Sequence, residues 1–367
     1  MKSQHILQGV DAIDVVLNAL NARKVFLVVD TSFPFLTIHD RILSIKVPYV
    51  VFNGFSSNPL YEDVCEGVSL FLREKCDVIV AVGGGSCIDV AKCVKLYCKM
   101  DPSVNYLRQD CFDSGIPMIA LPTTAGTGSE STRYAVIYYE GEKQSVTHSS
   151  IIPDYAVLDH SVLSTLPLYQ KKCTVFDALC QSIESWWSVN STDDSRRISA
   201  EALRLLYENV EAYLFRNDVE ASSKIMMGAN LAGQAINITQ TTAPHAFSYK
   251  LTSLYGLPHG HAVALCMAEI WDFMVHNTHK CIDSRGEAFL RETLQAISCC
   301  MGCDSPDMAV AAFRRLLSDC DLGNPVSMSR DTDLDKLTHS VNPVRMKNHP
   351  VALDMESIAF LYDRIVK

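Results

Sequence analysis

Five short runs of β-branched and aliphatic residues recur before residue 160: KVFLVVD (24–30), VPYVVF (47–52), DVIVAV (77–82), IPMIAL (116–121) and DYAVLD (154–159). Helix-length segments separate several of them, notably 61–75 and 87–99. Runs that are apolar throughout suit strands buried on both faces, and the helices between them supply the crossovers that a parallel sheet requires. The pattern predicts an α/β, Rossmann-like nucleotide-binding domain over residues 1–160. Beyond it the texture changes to long helical patterns at 171–188, 194–215, 220–239 and 260–277, with further helices in 284–318 and 351–365. Residues 161–367 therefore read as an all-helical domain, and a ligand cleft between the two is expected. The polar stretch MSRDTDLDKLTHSVN (328–342) reads as a loop with a short helix. A chain of 367 residues also exceeds the size, about 250–300 residues, at which single cores stop growing.

Charge narrows the partners. With 42 acidic residues against 32 Lys and Arg, the net charge of −10 offers no basic field for a phosphate backbone, so no nucleic-acid partner is expected. The 14 cysteines are scattered, which argues against a disulfide scaffold and for reduced thiols acting as small hydrophobes in the cytoplasm. The opening MKSQHILQGVDAIDVV has no long apolar run before Asp11 and Asp14, and neither a signal peptide nor a membrane span is expected. Apolar helix faces leave a homodimer open, without locating its interface.

Two loops carry the nucleotide reading. In DVIVAVGGGSCIDVAK, Gly83, Gly84 and Gly85 fall between a strand and a helix, where they permit a tight turn and close backbone approach. Ser86 is placed to cap that helix, whose free N–H groups face an incoming phosphate, and Asp89 follows near its start. The second loop, LPTTAGTGSEST, follows another strand and offers Thr123, Thr124, Thr127 and Ser129 to the pyrophosphate, adenosine or nicotinamide portions. Neither a Walker A loop nor a GxGxxG fingerprint is present. The bland alternatives are a turn that binds nothing and, for Asp89 and Lys92, a solvated helix face. Asp30 ends the first strand, where a carboxylate accepts from a ribose 2′-hydroxyl and repels a 2′-phosphate, favouring NAD(H) over NADP(H). An aspartate there is also a common turn former.

The stretch FDALCQSIESWWS (176–188) sets Asp177, Gln181 and Glu184 on one face of an otherwise largely apolar helix. A carboxylate buried there needs a partner, whether lysine, backbone cap or metal. His245, after Pro244 at a helix start, and His259, before Gly260 at another, could join Asp177 in an O,N,N set for a divalent metal. Gln181 could add a weak amide oxygen. Each histidine alone reads equally as a hydrogen-bonded core or surface residue.

Taken together, GGGSCIDVAK, PTTAGTGSE, FDALCQSIESWWS, His245 and GLPHG (256–260) resemble the iron-containing (group III) alcohol dehydrogenases, relatives of the dehydroquinate-synthase-like fold. The resemblance extends from the Asp30 strand to the late NPVRMKNHP segment (342–350). It implies an NAD(P)-binding domain followed by a helical domain holding Fe2+ or Zn2+. The family motif DALxHxxE supplies one Asp and three His ligands; Asp177, His245 and His259 match three of these, and Gln181 stands at the fourth. Tyr249 stands where the family often has a second histidine, and at that position it is a candidate catalytic proton donor. The activity implied by the resemblance is metal-assisted reduction of a small aldehyde by NAD(P)H.

A narrower likeness, in FNGFSSNPLYEDVCEGVSLFLREKCD, GTGSESTRYAVIYY and the Gln of DALCQSIESWWS, is to the family members of phosphonate metabolism, which reduce phosphonoacetaldehyde to 2-hydroxyethylphosphonate. Arg133 is then a candidate phosphonate clamp, since a guanidinium binds oxyanions through paired hydrogen bonds; a salt bridge to Glu130 or Glu140 is its ordinary alternative. A general short-chain alcohol dehydrogenase, a glycerol dehydrogenase, a maleylacetate reductase, a dehydroquinate-synthase-like lyase or cyclase, and a catalytically silent nucleotide-binding protein are the competing readings.

Overall fold

The computed structural model describes residues 4–341 and 346–367; the first three residues of MKSQHILQGV and positions 342–345 of NPVRMKNHP lie outside them. The chain divides into two compact units, one reaching to Pro167 and including Asn217–Met226, the other comprising Leu168–Arg216 and Met227–Lys367.

In the first unit the strands are β1 (His5–Gln8), β2 (Val25–Val29), β3 (Tyr49–Phe52), β4 (Val78–Gly83), β5 (Met118–Pro122), β6 (Tyr134–Tyr139), β7 (Glu142–Thr147) and β8 (Tyr155–Leu158). Its helices are α1 (Ala12–Ala19), α2 (His39–Leu43), α3 (Tyr61–Arg73) and α4 (Gly85–Tyr97). Six strands form one parallel sheet in the order β1-β8-β5-β4-β2-β3. Every residue of β2, β4 and β5 is buried, the reason these segments read as unbroken apolar runs. Two elements escaped the apolar-run criterion. β1 is largely exposed at the sheet edge, and the antiparallel β6–β7 hairpin alternates or is polar, as in EKQSVT.

Strand order sets the site. After β2 the chain steps outward to β3 and then returns to the opposite side of β2 as β4, so the β2/β4 boundary is a topological switch point. In open α/β sheets ligands bind beyond the carboxyl ends of the strands at such a point. Asp30 follows β2 there, the glycines close β4, and the PTTAGTGSE loop leaves the neighbouring β5.

The second unit contains α5 (Leu168–Trp187), α6 (Asp193–Arg216), most of α7 (Val219–Thr239), α8 (Ala243–Tyr255), α9 (His259–His276), α10 (Glu287–Cys300), α11 (Pro306–Asp319), α12 (Arg330–His339) and α13 (Met355–Ile365). From Val175 to Trp187 every residue of α5 is buried, because α6, α9 and α10 enclose it. Phe176, Trp187, Trp271 and Phe313 interlock edge to face, with centroids 5.6–6.1 Å apart, and join α5, α9 and α11. α9 starts close against α5 at Gly260: a Cβ there would lie 1.9 Å from the Cys173 carbonyl oxygen and 3.1 Å from Asp177 Cβ. Only glycine allows α9 to start this near α5. The cysteines are free thiols, Cys300 and Cys303 included despite their CxxC spacing.

Asn348 ties the end of the NPVRMKNHP segment into this unit, donating to the Gln240 side chain and the Thr241 carbonyl and accepting from Asn190. Beside it His349 is fully buried, edge-on to Trp187, and neither ring nitrogen has a hydrogen-bond partner among the described residues. Burial pushes its imidazole down from 6.5 to about 3. The native state therefore holds it neutral while the unfolded chain takes up a proton below its ordinary value. Its stabilising share is complete above pH 6.5 and lost as pH falls toward about 3. Each proton so linked costs up to ~1.4 kcal/mol per pH unit. Urea unfolding of wild type and His349→Phe across pH 3–7 should show a shallower acid limb in the variant, and parallel acid limbs would contradict this account.

Candidate functional site

The three glycines after β4 have different physical reasons. A Cβ at Gly83 would meet Cys87 Cβ at 2.5 Å and Asp30 Oδ2 at 2.7 Å, so this position is closed by packing. At Gly85 a Cβ would meet Thr127 at 2.9 Å, which is how closely the second loop lies against the first. Gly84 differs: a Cβ there would stand 3.8 Å from both Asp30 and Thr124, in ordinary contact, leaving a small cradle. Gly84 caps the thirteen-residue α4 with no side-chain hydrogen bond, and no acidic residue lies in the first turn of that helix. A bare N-terminus lined by backbone and hydroxyls suits an anionic phosphate, so the residues fit a dinucleotide.

Surrounding groups hold the two loops together. Asp30 accepts from Ser32 N–H and hydroxyl through Oδ1, and from Gly84 N–H at 2.9 Å through Oδ2, making it a turn former and a clasp on the glycine loop. Thr123 N–H donates to the Gly83 carbonyl. Ser86 does not cap α4; its hydroxyl donates to the Ser57 carbonyl. Asp89 and Lys92 are not on a solvated face. Asp89 accepts from the Ser129 hydroxyl and Val136 N–H, while the fully buried Lys92 donates to Ser129, Thr132 and the Tyr134 carbonyl. Burial pushes the lysine down to about 8, against the pull of Asp89 and Glu130. Arg133 follows the loop, its guanidinium 5.3 Å from the centroid of the Tyr134 ring.

In the helical unit Asp177, His245 and His259 converge, with one ligand atom of each within 4.8 Å of the others. His245 Nε2 lies 3.2 Å and His259 Nε2 4.0 Å from Asp177 Oδ1. Three helices deliver them: the buried middle of α5, the third residue of α8 after Pro244, and the first residue of α9. Asp177 and His245 are buried, whereas the His259 side chain is 39% exposed and gives the cluster an open side. Tyr249, one turn beyond His245, holds its ring parallel to His259, with centroids 5.9 Å apart. Gln181 is buried one turn after Asp177 and hydrogen-bonds it.

Charge tests whether these residues fit a cation. Asp177 and Glu184 are two buried carboxylates flanking one imidazole, with Glu184 fully buried against His245 Nδ1. Burial alone would raise the Asp177 carboxyl, but the His245 hydrogen bond and the His259 and His245 charges hold it below its usual range. Burial alone would lower His245, yet Glu184 and Asp177 carry it up to about 9. The cluster thus demands positive charge. A proton on His245 is the weaker answer, since it leaves one excess negative charge, and a divalent ion on the O,N,N set is the fuller one. The residues fit the metal.

Sequence reading gave two contributors no role in the site. Glu184 was visible as a polar residue on the α5 face, but its partners Thr242 and His245 are distant in sequence. Gly260 was visible only as the residue after His259, and its necessity depends on the Cys173 carbonyl.

A nucleotide cradle on a parallel sheet and a divalent-metal site on a helical unit define the class of NAD(P)-dependent, metal-assisted oxidoreductases. Two family models match in succession: iron-containing alcohol dehydrogenase over residues 3–160, and the C-terminal part of the Fe-containing alcohol dehydrogenase family over 172–323. The chain is 31% identical over 301 residues to a phosphonoacetaldehyde reductase of Streptomyces viridochromogenes, covering 78% of this chain and 75% of the relative. It is 27% identical over 327 residues to a 1,3-propanediol dehydrogenase of Klebsiella pneumoniae, covering 85% and 83% respectively. Among solved structures, a sulfoacetaldehyde reductase from Bifidobacterium kashiwanohense and a 1,3-propanediol oxidoreductase each superpose with TM-score 0.87 at 24% identity. They cover 100% of this chain and 97% and 100% of their own, and show the shared fold. The chain belongs to the iron-containing alcohol dehydrogenase family, with its dehydroquinate-synthase-like fold.

Two substitutions separate the sites. His259→Ala should release most of the bound zinc or iron, by elemental analysis, while NADH fluorescence titration stays near wild type. Gly84→Ala should weaken NADH binding about tenfold, as ~1–3 kcal/mol of overpacking implies, with metal content and thermal midpoint unchanged. Undiminished NADH affinity in that variant would remove the cradle from the cofactor site.

Proposed function

We propose that this protein reduces phosphonoacetaldehyde to 2-hydroxyethylphosphonate with NADH in the cytoplasm. The observation that carries aldehyde reduction is the Asp177–His245–His259 set in a chain of this family. The substrate reading is supported by likeness to the Streptomyces reductase and by Arg133 next to the second glycine loop. A bound divalent ion supplies Lewis-acid polarisation of the carbonyl oxygen, and NADH supplies the hydride.

The chain's own residues supply placement and the proton. In this reading the Gly84 cradle and the start of α4 take the pyrophosphate, with Thr123, Thr124 and Thr127 beside it. Asp89 and Lys92 act indirectly, by anchoring Ser129 and hence the loop. Asp30 accepts from the adenosine ribose and disfavours a 2′-phosphate, which selects NADH. Asp177, His245 and His259 hold the metal, and the exposed side of His259 admits the aldehyde. Tyr249, stacked on His259, would be the proton donor to the product oxygen. Arg133 pairs with the phosphonate through two parallel N–H donors. Reduced thiols and the absence, among the described residues, of any helix long and apolar enough to cross a membrane accord with the cytoplasm.

Phosphonoacetaldehyde, sulfoacetaldehyde and propanal distinguish the anion requirement from general aldehyde reduction. Losing a charge-assisted hydrogen bond costs ~1.5–3 kcal/mol, so Arg133→Ala should lower kcat/KM for phosphonoacetaldehyde about 10- to 150-fold and leave propanal nearly unchanged. Equal losses on all three substrates would assign Arg133 to loop positioning, and wild-type preference for propanal would overturn the phosphonate reading.

A further inference from the structure

The polar stripe of α5 does not end at Asp177. Two turns on, Glu184 is fully buried and both of its carboxylate oxygens are engaged. Its Oε2 accepts from Thr242 N–H at 2.5 Å and from the Thr242 hydroxyl at 2.8 Å, while Oε1 faces His245 Nδ1. The Thr242 hydroxyl accepts in turn from the Trp187 indole N–H at 3.0 Å. An indole nitrogen can only donate and an ionised carboxylate can only accept. The Thr242 proton must therefore point at Glu184, and the proton between Glu184 and His245 sits on Nδ1. With Nδ1 committed to Glu184, His245 Nε2 is the nitrogen turned toward Asp177, 3.2 Å from its Oδ1, and is the atom a bound ion would take.

We propose that Glu184, oriented by Thr242 and Trp187, is the positioning residue that fixes the tautomer and ring angle of the ligand His245 and so raises the metal affinity of a three-residue ligand set. This rests on the reading that Asp177, His245 and His259 hold the ion. Imidazole ligands gain basicity and lose rotational freedom when the distal nitrogen donates to a carboxylate. The effect matters more in this chain because Gln181, at the remaining position of the α5 motif, contributes an amide where an imidazole would be a stronger ligand. Trp187 belongs to the edge-to-face aromatic set, so the rigid core fixes the far end of the relay. Glu184 also caps the start of α8 through Thr242 N–H, a purely structural role that would affect stability alone.

The test uses the full chain, stripped of metal and reloaded. Zn2+ affinity is measured by chelator competition, and Co2+ loading gives a visible spectrum that reports ligand geometry. Glu184→Ala should weaken Zn2+ binding by roughly 10- to 100-fold and shift the Co2+ bands, with NADH affinity retained. Glu184→Gln, which keeps an oxygen acceptor for His245 Nδ1–H, should recover part of the affinity. Thr242→Val leaves both Glu184 and His245 in place and removes only the hydroxyl that orients the carboxylate; it should weaken binding severalfold and move the same bands. Folded Glu184 variants with wild-type Zn2+ affinity and an unchanged Co2+ spectrum would overturn the proposal while leaving the three-ligand reading intact. If Glu184→Ala does not fold, unchanged affinity and spectrum in Thr242→Val overturn it equally. A wild type that takes up no metal overturns both.

Discussion

Burial of Asp177 in the middle of α5 is the constraint around which the helical unit is organised. A carboxylate with 3% exposure, on a helix segment enclosed on all sides, cannot be left to water. His245 and His259 must reach it from two other helices, and each arrives by a specific device. Pro244 opens α8 one residue before His245, and Gly260 lets α9 begin against α5. Glu184 adds a second buried acid and with it a larger need for positive charge. The aromatic set of Phe176, Trp187, Trp271 and Phe313 supplies the apolar enclosure that gives these charges their strength.

The other unit solves a different problem with smaller means. Its parallel sheet places the ends of β2, β4 and β5 side by side, and the loops there are joined by hydrogen bonds and by the close packing of Thr127 on Gly85. Asp30 clasps the first loop and Lys92 the second, which leaves Gly84 as the position with room to spare.

Local chemistry and long apolar runs were legible in the sequence; partnerships across the chain were not. The buried strands and long helices follow from side-chain periodicity, and the glycine loops follow from strand-turn-helix order. Asp177, His245 and His259 stood out because a carboxylate on an apolar helix and histidines at helix starts are unusual locally. β1 and the β6–β7 hairpin stayed hidden since exposed or polar strands leave no apolar run. Ser86 looked like a cap because capping is a local rule, yet the Ser57 carbonyl claims its hydroxyl. A solvated face stayed open as an alternative for Lys92 because the acceptors that bury it, in Ser129, Thr132 and Tyr134, come from a loop some forty residues later.

The approach at Gly260 also bears on how such a site could diversify. The obstacle a side chain would meet is the Cys173 backbone carbonyl at 1.9 Å, which no rotamer change can move. Position 260 is therefore closed to evolutionary drift unless α5 and α9 separate, and their separation would dismantle the ligand set. Position 181, carried on α5 one turn from Asp177, already holds a long side chain. The helix spacing thus divides the neighbourhood into a frozen residue and a tunable one, and new metal chemistry on this scaffold would be sought through the tunable one.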